Sequence, residues 1–89
     1  MRFGRQNAPM SPILIRPAVL SDRRALIRLA ELDSAPALLG PVLLAEVGGS
    51  IVAAIGLRSG TTIADPFVPT ADLVKLLSLH AHSREALAA

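Results

Sequence analysis

Apolar and polar positions alternate between two rhythms along this chain. Ile13 to Arg16 is a short apolar strand closed by Pro17. From Ser21 the spacing turns helical: Ala25, Leu26, Leu29, Ala30 and Leu32 share one side at 100° per residue, and Arg24, Arg28 and Glu31 share the other. Ser21 reads as the N-cap, with Asp22 near the positive end of the dipole, and the helix runs to about Leu32. Ser34, Pro36, Gly40 and Pro41 mark a loop. Val42–Val47 and Ile51–Leu57 then flank Gly48-Gly49, the pair that suits a type I′ hairpin because both central residues need positive φ. Both strands are apolar at nearly every position, which predicts a sheet covered on both faces. Ser59-Gly60 makes a turn into a third strand, Thr61 to Ala64, ended by Asp65-Pro66. Thr70 caps a last helix in which Leu73, Leu76, Leu77, His80, Arg84 and Leu87 form one stripe. The order is β-α-β-β-β-α: an α+β domain with a small, mostly antiparallel sheet and two helices.

Before Ile13 the pattern vanishes. Residues 1–12 carry two prolines and no period and read as a disordered basic arm, leaving 13–89 as the folded domain. Met10 directly precedes the ordered part and is a second candidate start of translation, in which case Arg2 and Arg5 would not belong to the protein.

Eighty-nine residues suffice for one domain. The chain is 52% hydrophobic with only two aromatics, Phe3 and Phe67, so Leu, Ile, Val and Ala build the core. There is no cysteine, which excludes disulfides, thiolate metal sites and a cysteine nucleophile and fits a cytoplasmic setting. The apolar stretch from Ala35 to Leu57 is broken by Pro36, Gly40, Pro41, Glu46, Gly48, Gly49 and Ser50, so no membrane span is expected.

The net charge is only +2, but it is unevenly placed. Residues 1–28 hold six arginines against Asp22 alone, whereas the rest holds three bases against six acids. Arg16, Arg23, Arg24 and Arg28 could meet phosphates. Without tyrosine or tryptophan they lack a stacking platform, so they read as a solvated face and no nucleic acid partner is expected.

Candidate chemistry is sparse. His80 and His82 stand two apart and point about 160° from each other, which does not suit a metal pair on one helix face. His80 reads as a packed or interface histidine. Asp65, at a strand end, is the one candidate general base, weighed against an aspartate chosen for the turn before Pro66. No nucleophile elbow, P-loop or G-x-G-x-x-G is present. No cofactor and no metal are expected.

The ordered set of motifs resembles the front of the GNAT acyltransferase superfamily. Ile15-Arg16-Pro17-Ala18 followed by Asp22 and Leu26 is similar to that family's first strand and helix. Ala45-Glu46-Val47-Gly48-Gly49-Ser50-Ile51-Val52 is similar to its first hairpin, with Gly48 in place of an aspartate, and Val68-Pro69 is similar to its V-x-P without the residue between the two. The likeness covers residues 13–88. In that family V-x-P leads into an [RQ]-x-x-G-x-[GA] loop whose backbone N–H groups hold the acyl-CoA pyrophosphate. Here Val68-Pro69-Thr70-Ala71-Asp72 enters the helix directly, and the later strands and the tyrosine acid are missing. The resemblance therefore implies a truncated, non-catalytic half domain serving interaction or oligomerisation. The alternative is an acyl-CoA-dependent N-acetyltransferase completed by a partner chain, with acetyl-CoA as cofactor and Asp65 as its base. Val74, Leu79 and Ala86 fall off the leucine stripe, so a homodimer or a protein partner is expected, with Val74, Leu79, His80 and Arg84 near the seam.

Overall fold

A computed structural model describes residues 12–88, with side chains placed through Arg84. The elements are β1 (Ile13–Pro17), a 3-10 turn (Leu20–Asp22), α1 (Arg23–Leu32), β2 (Val42–Val47), β3 (Ser50–Gly56), β4 (Thr62–Ala64) and α2 (Ala71–Ala88). The fold is α+β in the order β-α-β-β-β-α. The strands form one sheet in the order β1-β2-β3-β4, antiparallel at every step. Of the arm expected over residues 1–12, all but Pro12 lies outside the described residues; Pro12 already accepts a hydrogen bond from the Gly48 N–H at 3.1 Å. Among the described residues no helix is long and apolar enough to cross a membrane.

The central hairpin explains itself. Gly48 and Gly49 take φ of 58° and 87°, the left-handed pair that a two-residue turn between twisted strands requires. The strands it joins are apolar at nearly every position because each face of the sheet carries a helix. Val42 and Leu44 of β2, Ala54 of β3 and Ile63 of β4 pack with Leu29 and Ala30 of α1. Leu43, Ala45, Ala53 and Ile55 pack with Leu77 of α2 on the opposite face. Successive residues of a strand point to opposite faces, so where both faces are buried nearly every position is apolar; the polar residues, Glu46 and Ser50, stand toward the hairpin end of the two strands, outside the buried stretch. A bulge between Ala45 and Glu46 shifts the register, pairing Ala45 with Ala53 and Glu46 with Ile51. It leaves Val52 as the extra residue and turns Ile51 toward the α1 side.

Helix α1 starts differently from the expectation. Ser21 is not its cap: the chain first makes the 3-10 turn, and α1 begins at Arg23. The Asp22 carboxylate reaches back to accept the Val19 N–H at 2.7 Å. Leu29 and Ala30 are buried and Leu26 is half-buried, whereas Ala25 and Leu32 stay exposed. The buried stripe is thus narrower than the sequence suggests.

Helix α2 is rotated from its expected setting. Leu73, Val74, Leu77 and Ala81 face inward, while Leu76, His80 and Arg84 are exposed. Of the expected stripe, Leu73 and Leu77 face inward and Leu76, His80 and Arg84 do not; the side chains of Leu87 and Ala86 lie outside the described residues. Small Ala81 lets the helix lie close to the sheet where His80 and Arg84 would have held it off.

Both outer edges of the sheet are partly blocked. Pro12 and Ala18 bond toward β2, so alternation turns the backbone of Ile13, Ile15 and Pro17 outward, and Pro17 has no N–H to offer. At the other edge the Ala64 N–H is taken by the Asp33 carboxylate at 3.1 Å.

Candidate functional site

The most ordered polar constellation lies where β1, β2 and the start of α1 meet. Arg16 stands opposite Leu44 in the register, on the sheet face that carries α1. A guanidinium on that face needs partners, and three elements supply them. Its Nη1 and Nη2 donate to the two oxygens of Asp22 at 2.8 and 3.0 Å, a two-pronged pair. Its Nε donates to Glu46 Oε2 at 2.5 Å, and Nη1 also donates to the Pro17 carbonyl at 3.2 Å. Asp22 is the buried member. The guanidinium first, and the Val19 N–H second, hold its carboxyl down at about 2, outweighing a smaller opposing effect of desolvation. The hydrogen bonds to Asp22, then Glu46, raise Arg16 above its ordinary value.

This network is a brace. It ties the edge strand to its neighbour and to the turn that launches α1, and each of the three guanidinium nitrogens of Arg16 is engaged. Arg16 therefore does not belong to a phosphate-facing surface with Arg23, Arg24 and Arg28, which are exposed.

Asp65 ends β4 in a tight turn. Its Oδ1 accepts the Phe67 N–H at 2.8 Å, its own N–H donates to the Val52 carbonyl at 2.9 Å, and its carbonyl accepts the Val68 N–H at 3.3 Å. That is the geometry of an aspartate placed to form a turn before proline. Asp65 also lines an open depression of about 380 Å³ with Arg28, Ser50 and Gly49. The depression is lined by a carboxylate, a guanidinium and a hydroxyl residue together, a grouping the sequence does not announce because they come from three elements.

The expected interface residues are spread around α2. Val74 is half-buried against the sheet. Leu79, His80 and Arg84 are exposed, and the His80 Nδ1–H donates to the Leu76 carbonyl of its own helix at 2.8 Å. His82 lines a separate shallow depression of about 220 Å³ beside Leu57 and Ser78. Among the described residues no group of three or more His, Asp or Glu side chains is placed to hold a metal ion.

An apolar groove, of about 360 Å³, runs between α1 and the loop before β2. Leu26 and Leu38, half-buried against the core, line it. Val19, Ile27 and Leu39 line it while remaining exposed. Sequence reading missed it because its walls come from a loop whose path periodicity does not set. No protein-family model, no curated protein and no solved structure matches this chain.

Proposed function

We propose that this domain is a non-catalytic interaction or oligomerisation module. One observation carries the reading: large apolar side chains stand in water although both faces of the sheet are already covered. Leu20 is 86% exposed, Leu39 83%, Phe67 82% and Leu79 64%. Burying them against a partner would contribute about 25 cal/mol per Å² of apolar area. A homodimer is the simplest partner, since a two-fold pair is the commonest closed assembly. The resemblance to the front of the GNAT superfamily belongs to the same proposal, supported by the order β-α-β-β-β-α.

The alternative is an N-acetyltransferase completed by another chain. It would draw on Asp65 and its neighbours Arg28 and Ser50. The turn hydrogen bonds of Asp65 favour the first reading.

Sedimentation equilibrium over a hundredfold range of concentration, alone and with extracts of the native host, tests the module. Reversible association that weakens on replacing Leu79, Leu39 or Phe67 by serine supports it. A monomer throughout, with no species of higher mass in either sample, overturns it.

A further inference from the structure

The groove between α1 and the loop before β2 combines apolar walls with a cationic rim. Leu39, on its wall, is among the most exposed large apolar side chains of the chain. Arg23 is one of the lining residues. The Arg58 side chain lies beside Gly40, another of them: a Cβ placed on that glycine would come 3.4 Å from Arg58 Cδ. Among the described residues neither arginine makes an ion pair. Asp22, the residue directly before Arg23, is taken by Arg16, as is Glu46. The brace thus leaves the rim with cations and no internal counter-charge.

We propose that this groove docks an acidic amphipathic segment of a protein partner, seating its apolar side chains on Leu26, Leu38 and Leu39 and its carboxylates against Arg23 and Arg58. The proposal rests on the interaction-module reading and names the chemistry of the partner. Apolar contact supplies affinity, and the two guanidiniums supply selectivity for carboxylates. A basic segment would bring like charge to the rim, and a neutral one would leave both arginines unpaired. Because the rim is exposed, the selectivity falls as salt rises.

The test uses three synthetic peptides with one leucine stripe at helical spacing and glutamate, glutamine or lysine at the remaining positions. Affinity is read by calorimetry, and location by amide chemical shifts of the full chain. The glutamate peptide binds tightest, by about tenfold over the glutamine peptide at low salt, as two exposed ion pairs would give. Its shifts gather at Val19, Ile27 and Gly40. Leu39→Ser lowers the affinity of every peptide; its side chain is exposed, so the fold survives. Arg23→Gln with Arg58→Gln brings the glutamate peptide to the level of the glutamine one. Equal binding of all three, shifts gathered elsewhere, or no binding would overturn the proposal. Sedimentation of Leu39→Ser without peptide separates the two readings. If it alone dissociates a wild-type oligomer, a second copy occupies the groove, and the acidic-segment proposal falls while the module stands.

Discussion

Arg16 grips both oxygens of Asp22, although the chain turns from a strand into a helix between them. The same guanidinium reaches Glu46 on the next strand, so one side chain joins three elements. The brace makes stability depend on pH. The Asp22 carboxyl is held at about 2, below its unfolded value of about 3.9. Its contribution is therefore fully present above pH 4 and is lost as pH falls toward 2. The urea midpoint should drop across that window, and Asp22→Asn should flatten the drop. An unchanged acid limb in the variant would mean that other carboxylates set it.

Helix α2 separates its faces sharply. Leu77 has no exposed surface, whereas Leu79 stands largely in water. Leu77→Ala should cost about 2–5 kcal/mol of folding stability, from lost burial and the cavity left behind. Leu79→Ala should stay within about 0.5 kcal/mol under dilute conditions. Denaturant unfolding of both variants at low concentration reads the difference. Similar losses would place α2 in another rotation.

That rotation marks where the sequence stops being legible. The strands and the hairpin were readable because Pro17, Gly48-Gly49 and Asp65-Pro66 punctuate them chemically. In α2, Val74, Leu76, Leu79 and Ala81 surround Leu73 and Leu77, so apolar residues occupy nearly every side and the period names no face. Packing chose the side with the small residue. The bulge at Ala45/Glu46 leaves no local mark, because no glycine or proline stands at Ala45, Glu46, Ile51 or Val52. The Arg16 brace depends on a register joining residues thirty positions apart. One signal could have found it: a lone arginine in an apolar strand, at a position whose parity turns it toward the helix, needs a carboxylate nearby. The sequence offers two readings of Asp65, turn former and general base, and its hydrogen bonds favour the turn. The groove was not readable, since the loop over residues 33–41 has no period to set its path.

Gly49 isolates the cost of a backbone conformation. Its φ is +87°, and a Cβ there would meet nothing within 4 Å. Gly49→Ala should thus destabilise through strain alone, by about 1–2 kcal/mol. Thermal unfolding checks this. No loss would show that the hairpin relaxes into another turn type.

The Asp33 carboxylate covers the outer edge of β4 by accepting the Ala64 N–H. Asp33→Ala should speed hydrogen exchange at Ala64 while leaving the amides of β2 and β3 protected, because only the edge bond is removed. Asp33→Asn, which keeps a carbonyl acceptor, should restore most of the protection. Equal exchange in wild type and Asp33→Ala would show that the bond contributes nothing in solution.

The start of α2 bears on acyl-CoA. Anions bind helix N-termini through free N–H groups and the positive end of the dipole. Here the helix begins at Ala71, directly after Thr70, and its first turn carries Asp72. The carboxylate meets the dipole favourably and places negative charge where a pyrophosphate would lie. Two outcomes follow from the one residue. Asp72→Asn should lower stability by about 0.3–1 kcal/mol, the usual effect of such a charge at low ionic strength. Calorimetry with acetyl-CoA should give no saturable heat for the wild-type chain alone. Tight, saturable binding would favour the acyltransferase reading and require a phosphate site away from the start of α2.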